Sequence, residues 1–410
     1  MKLFELFDGK FNLSISGVAF LIFSILVIAA VGYLLGKVTV KGVNLGTAGV
    51  FLIALLFGCL FYEPLNNQLA IGEVNFTTEA LKVVENLGLL LFVTSVGFIA
   101  GPKFFRNFLK NAKSYVVLGI LIILIGAATC VLTVFISSGK VSPELAAGLL
   151  TGALTSTPGF AAAKEAAGTA LAADVATGYG IAYPFGVIGV VLFVQLIPKI
   201  LKLNMVDERK KFEAANEVSI KEYKGKLFSV DEFGFMPLAL AIVFGVLIGK
   251  ISIPLPGGAS FALGTSGGPL ISGLIFGHFG HIGRLSLKVK TDVLKTMREL
   301  GLALFLMAAG VQGGQAFVEI LKEQGAMLFV YGALMTTFPM IVGYIFAKYV
   351  LKLSIFNNLG SICGGMTSTP ALGTLISVTG TDDIATAYAS TYPVALVCIV
   401  LAAQFIVVLM

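Results

Sequence analysis

Twelve uncharged runs divide this 410-residue chain, at 11–36, 43–62, 86–102, 114–139, 145–163, 175–198, 233–249, 251–283, 300–318, 324–347, 353–381 and 384–410, and none is shorter than 17 residues. A hydrocarbon core ~30 Å thick is crossed by about 20 residues of helix, so most of these runs can span it. Within lipid, a helix satisfies each backbone N–H and C=O inside its own segment. The charged fraction of 12% is about half the ~25% of an ordinary soluble chain. The sequence therefore predicts an all-α polytopic membrane protein.

The same composition narrows the function. A net charge of +6 is the sign that nucleic acid attracts, but the basic residues sit in short segments between apolar runs and form no basic face, so no nucleic-acid partner is expected. Cys59, Cys130, Cys363 and Cys398 lie scattered inside apolar runs without C-x-x-C spacing, which argues against a disulfide framework or a zinc site. The first apolar run is too long for a cleavable signal sequence, and none is expected.

The chain is written twice. Asp174 to Gln195 and Asp383 to Gln404 agree at nine of 22 positions, among them Tyr179/Tyr388, Tyr183/Tyr392, Pro184/Pro393 and Gln195/Gln404. Upstream, LTSTP at 154–158 answers MTSTP at 366–370, LGLLLFVTSVGFIAG at 87–101 answers LGLALFLMAAGVQGG at 300–314, and GYLLGK at 32–37 answers GVLIGK at 245–250. The expected organisation is a first membrane repeat over 1–198, a cytoplasmic linker over 199–232 and a second membrane repeat over 233–410.

Charge decides how the repeats cross. If the run holding TSTP dips in and returns, each half has five transmembrane helices plus one re-entrant hairpin, and the halves have inverted topology. Under that arrangement 21 of the 28 Lys and Arg, including Lys103, Arg106, Lys110, Lys113 and the basic residues of 199–232, share one side. This is the bias of the positive-inside rule, and it puts both termini outside. Ten helices and two hairpins are expected.

Thr-Ser-Thr-Pro in the middle of an apolar run should break the helix, since proline removes a donor and disfavours the α conformation at the residue before it. Thr157 and Thr369 are then expected as N-caps, with Pro158 and Pro370 at the first helical position. Irregular backbone at membrane depth is tolerated where it is buried in protein or lines a wet cavity. Two such breaks at matched positions of inverted halves point to a transport site near the midplane. Helix N-termini there suit an anion such as a carboxylate. Thr155, Ser156, Thr157, Thr367, Ser368 and Thr369 add hydroxyls. The helices that end at the breaks offer carbonyls to a coupling cation. The plainer alternative is a structural kink whose hydroxyls bond back to the preceding turn.

Paired TSTP motifs, each followed by a helix containing Tyr-Pro, resemble the aspartate:alanine exchanger family of bacterial secondary transporters. The resemblance covers both membrane halves. It implies exchange of small carboxylates or amino acids such as aspartate and alanine across the bacterial inner membrane, with relatives that export succinate. It also implies that Thr155, Ser156, Thr157, Pro158, Thr367, Ser368, Thr369 and Pro370 contribute to the substrate site. Many members carry a large regulatory domain between the halves, which this chain replaces with the 199–232 linker. Alternating access by moving the hairpin unit, a homodimer, and Na+ or H+ as the coupling ion are further expectations. The alternative is a sodium-coupled symporter of acidic amino acids or dicarboxylates.

Other residues carry less. Asp174 and Asp383, with Asp382 beside it, fit helix N-caps better than paired proton carriers, and no other carboxylate lies deep in an uncharged run. Lys164 is expected to snorkel to the surface. His278 and His281 lack a third metal ligand, so no metal site is expected. Gly97-x-x-x-Gly101 and Gly310-x-x-x-Gly314 suit close helix packing, while Thr94, Ser95 and Gln312 on the same helices, like Tyr183 and Tyr392, are candidates to support the tips. No nucleophile and base fall together within the runs, so an enzyme is not expected.

Overall fold

Apolar segments with no charge to hold them in water become helices, and in the computed structural model nearly every uncharged run is helical. The structure describes residues 2–6, 11–40, 43–44, 48–71, 74–137, 140–215, 227–254, 260–324 and 327–410. Thirteen α-helices lie among the described residues: α1 (Gly17–Gly36), α2 (Ala48–Gln68), α3 (Thr77–Ile136), α4 (Pro143–Ala153), α5 (Thr157–Ile200), α6 (Met205–Ala215), α7 (Phe235–Lys250), α8 (Gly264–Phe279), α9 (Thr291–Gln324), α10 (Met327–Tyr349), α11 (Ile355–Gly365), α12 (Thr369–Thr379) and α13 (Ala385–Leu409).

Seven segments among the described residues are long and apolar enough to cross a membrane: Gly17–Gly36, Gly49–Gln68, Thr77–Pro102, Asn111–Ile136, Asp174–Ile200, Met327–Tyr349 and Asp382–Leu409. This is a multi-pass helical membrane protein. The basic stretch after Pro102, one of the short segments between apolar runs, is helical backbone within α3. It contains neither glycine nor proline before Gly119, and Lys, Arg, Leu and Ala are good helix formers.

The contacts gather into two units, residues 1–88 with 303–319 and residues 89–302 with 320–410. In the first, α1 meets α2 where small residues allow it: a Cβ on Gly32 would lie 2.5 Å from the Val50 Cα, and one on Gly49 would lie 2.6 Å from the Gly36 nitrogen. Gly310 and Gly314 of α9 cross α2 in the same way, against Ala54 and the Leu55 carbonyl. Around these crossings Phe20, Ile28, Val50, Leu65, Leu81 and Met307 form a buried cluster. The far side of α1 exposes Val18, Ile22, Leu26 and Leu34, an apolar stripe that lipid would cover.

In the second unit, α7 and α8 cross through Gly245, Gly249 and Gly268, and α3 crosses α8 through Gly97, Gly101, Gly273 and Gly277. Such glycines let backbones approach to a distance that any side chain would prevent. The Asp231 carboxylate opens α7 by accepting N–H bonds from Met236, Phe235, Gly234 and Phe233. That donation, Met236 first, holds its carboxyl below the usual range.

Candidate functional site at two helix breaks

Both breaks lie in the second unit and are built alike. Helix α4 begins with Ser142 accepting from the Leu145 N–H at 3.2 Å and ends at Leu154. Thr155 then takes φ 52, Ser156 returns to extended backbone, and α5 begins at Thr157. The Thr155 N–H bonds the Gly152 carbonyl at 2.9 Å and the Ser156 N–H bonds the Thr151 carbonyl at 2.8 Å. This pair of bonds is the Schellman termination of a helix. Helix α11 ends identically: Thr367 has φ 50, its N–H bonds Gly364 at 3.1 Å, and the Ser368 N–H bonds Cys363 at 2.9 Å.

The residue at this left-handed position is normally glycine. A β-branched residue there is an outlier, and such strain, of order 1–3 kcal/mol, persists only where the surroundings hold it. Here each threonine hydroxyl bonds the opposite break. Thr367 Oγ1 donates to the Leu154 carbonyl at 2.5 Å, and Thr155 Oγ1 donates to the carbonyls of Thr367 at 3.2 Å and Met366 at 3.4 Å. The two TSTP tips are therefore joined directly, and the carbonyls that end α4 and α11 accept these hydroxyls.

The helices that start at the breaks are capped one residue earlier than the sequence suggests. Ser156 and Ser368 are the N-caps, with Thr157 and Thr369 as first helical residues and the prolines second. The serine takes the extended backbone of an N-cap at both breaks. Ser156 has φ −97 and ψ 97, and Ser368 has φ −93 and ψ 96. Ser156 Oγ accepts the Gly159 N–H at 3.2 Å. Ser368 Oγ is fully buried and has no hydrogen-bond partner among the described residues. Thr369 Oγ1 shares a 3.1 Å hydrogen bond with the Tyr388 hydroxyl. The side chain of Thr157 lies outside the described residues.

Each break is backed by the Tyr-Pro helix that follows it. Gly148 and Gly152 of α4 press on Val175 and Tyr179, while Gly360 and Gly364 of α11 press on Ile384 and Tyr388. Tyr179 stacks on Tyr183 with centroids 5.2 Å apart and Tyr388 on Tyr392 at 5.3 Å. Phe160 extends the first stack at 4.3 Å, with exposed Lys164 above its ring. Ten residues past each proline a glycine bends the chain, Gly168 with φ 67 and Gly380 with φ 67.

The second break is fastened at its base. Arg209 on the linker helix α6 donates to the Gly380 carbonyl at 3.1 Å, and Phe212 packs on Phe356 of α11 at 5.1 Å. Arg298 pairs with Asp382, and Thr381 Oγ1 accepts the Asp383 N–H at 3.3 Å. Asp383 thus lies in a short 310 turn, while Asp174 lies inside α5 and caps nothing.

Gly97 and Gly310 sit at the helix crossings described above. Gln312 Nε2 donates to Glu85 Oε2 at 2.9 Å in the first unit. The uncharged run 86–102 begins just past Glu85, whereas α3 begins at Thr77, so Glu85 lies inside a segment long and apolar enough to cross a membrane. An ionisable residue so placed is a functional candidate in its own right. The repeat alignment held a signal, since Glu85 stands where the second half has Arg298.

Comparison with known proteins brings the two halves together. A family profile of the aspartate:alanine exchanger type, described as a predicted permease membrane region, matches residues 24–199 and 237–408. An uncharacterized transporter from Bacteroides fragilis is 28% identical, the match covering 94% of this chain and 97% of the relative. Another, from Bacteroides thetaiotaomicron, is 27% identical over 94% of this chain and 97% of its own length. A third, from Rhodopirellula baltica, is 27% identical over 93% and 98%. These alignments run over 538 to 545 positions, longer than the chain itself, so the relatives contain stretches with no counterpart here.

Proposed function

The chain belongs to the aspartate:alanine exchanger family, and from that premise we propose that it is a secondary active transporter exchanging small carboxylates or amino acids by alternating access. The observation that carries this reading is the pair of threonine-closed breaks bonded to each other. Two strained, reciprocal chain reversals are more than a kink requires. They set two helix N-termini, with their partial positive charge, beside hydroxyls inside a membrane protein, which is the chemistry of a carboxylate site. The site comprises Thr155, Ser156, Thr157, Pro158, Thr367, Ser368, Thr369 and Pro370, with Tyr183 and Tyr392 in the stacks behind it.

The proposed topology is two inverted repeats, 1–198 and 233–410, joined by the 199–232 linker. Five crossings per repeat are counted as α1, α2, the two spans of α3 and the later part of α5, then as α7, α8, α9, α10 and α13. The segments α4 with the start of α5, and α11 with α12, are the re-entrant hairpins. Their eleven-residue arms run ~16 Å at 1.5 Å per residue, about half a bilayer core. The basic residues then face the cytoplasm and both termini the outside of an inner membrane. The transporter works as a homodimer, and the linker stands where the family resemblance implies a regulatory domain in many members.

Counterflow tests the function. Proteoliposomes preloaded with L-aspartate, L-alanine or succinate are expected to accumulate a labelled counterpart without an imposed ion gradient. Uptake that follows a sodium gradient and ignores internal substrate would favour the sodium-coupled symporter. Absence of exchange, and of thermal stabilisation, by any small carboxylate would overturn the substrate class.

A further inference from the structure

We infer that the two breaks are not equal partners in binding, and that the substrate's carboxylate is held at the second one, by the Ser368 hydroxyl and the open N-terminus of α12, while the first break is a closed structural mate. This rests on the reading that the breaks form the substrate site and adds which of them binds.

The backbones of the two N-caps agree within a few degrees, so the difference lies in the side chains. At the first break the Gly159 N–H, one of the donors a helix N-terminus would present to an anion, is consumed by Ser156 Oγ at 3.2 Å. That is ordinary capping. At the second break Ser368 makes no side-chain cap bond, although Ala371 stands where Gly159 does, 212 residues on. A serine in a capping position that does not cap, fully buried and with its hydroxyl unmet, carries a desolvation cost that a ligand can remove. An O–H and an N–H at one helix end are the two donors a carboxylate's two oxygens would take.

The surroundings of the second break are also the more polar. Ser361 of α11, buried with an unmet hydroxyl, stands where α4 has Leu149, and Asn358 stands where α4 has Ala146. Phe92 of α3 lies 3.3 Å from where a Cβ on Gly373 of α12 would be. Two and three residues further along α3, the Thr94 and Ser95 hydroxyls are fully buried and without partners.

Single substitutions in the purified full-length protein separate the two roles. Ser156→Ala removes a working cap and is expected to lower the ligand-free melting temperature by several degrees, with a smaller loss of affinity than Ser368→Ala. Ser368→Ala removes a hydroxyl that bonds nothing, so melting is expected to stay the same or rise. Its affinity should fall roughly 10-fold or more, the loss of a hydrogen bond to a charged group. The ligand is whichever of L-aspartate, L-alanine and succinate most raises the wild-type melting temperature. Ser368→Thr, which keeps a hydroxyl at the N-cap, is expected to retain most of the affinity. If Ser368→Ala fails to fold, Ser368→Gly, which keeps the N-cap backbone, asks the same question. Equal losses of affinity in both alanine variants, or a larger one in Ser156→Ala, would overturn the inequality and leave the site standing. Unchanged affinity in both would remove the carboxylate from the N-caps altogether. Wild-type protein that binds none of the three overturns the site reading and the inference with it.

Discussion

The TSTP break after α4 and the one after α11 have the same chain path and different fastenings. Both close a Schellman motif with threonine, and both lend a hydroxyl to the other's carbonyl. Beyond the tip they part. The second arm, α12, is buried along nearly its whole length, while the start of α5 carries exposed Lys164. The glycine that ends α12 is tied to the linker helix through Arg209. Among the described residues, its chain neighbours and own helix backbone aside, nothing lies within 4 Å of where a Cβ on Gly168, its counterpart, would be. A repeated sequence gives two copies of a local geometry, but what each copy packs against is set by the other half. One duplicated motif can therefore yield two copies of one chain path with different fastenings.

The shared feature is the easier to break. Replacing both Thr155 and Thr367 with valine keeps the strained backbone and removes the hydroxyls that offset it. Each lost hydrogen bond leaves a buried carbonyl unmet, at about 1–3 kcal/mol, so the double variant is expected to lose roughly 2–6 kcal/mol and its transport. Thr367→Val alone should cost more than Thr155→Val, whose bonds are longer at 3.2 and 3.4 Å. Thermal melting in detergent, with counterflow on the same samples, checks the order. Near-neutral behaviour of the double variant would mean that the tips are not locked together.

The unshared feature gives a smaller and more diagnostic effect. Gly168 has φ 67 and ψ −179, a region open essentially to glycine alone, so Gly168→Ala is expected to cost about 1–3 kcal/mol despite the open space around it. Gly380 has φ 67 and ψ 19, the left-handed helical region that alanine enters at about 1–2 kcal/mol. A Cβ there would meet only the Arg209 guanidinium, at 2.8 Å, the far end of a flexible side chain. Gly168→Ala should therefore melt lower than Gly380→Ala. The reverse order would show that the ties to the linker, rather than the backbone, govern these bends.

Much of this was legible in the sequence, and the exceptions have physical causes. The apolar runs announced the helices, and Pro158 and Pro370 announced the breaks, because hydropathy and proline chemistry act locally. The left-handed Thr155 and Thr367 were hidden, since only glycine or asparagine marks that position in a sequence and the compensating bonds come from 212 residues away. The caps were misplaced by one residue because both serine and threonine cap well. Glu85 escaped notice because α3 starts eight residues before it, so counting from the last charge put it outside the membrane run. Gly168 and Gly380 could have been found, as each stands ten residues after its proline. The unequal fate of Ser156 and Ser368 could not, because it depends on side-chain direction alone.

The central claim is that two inverted re-entrant breaks meet at a substrate site. With Cys59, Cys130, Cys363 and Cys398 replaced, single cysteines at Gly159 and Ala371 report on it from the two faces of the membrane. An impermeant thiol reagent is expected to reach Gly159→Cys mainly from outside and Ala371→Cys mainly from the cytoplasmic side, with both reactions slowed by saturating substrate. Labelling of both positions from one side only, or rates that substrate leaves unchanged, would contradict it.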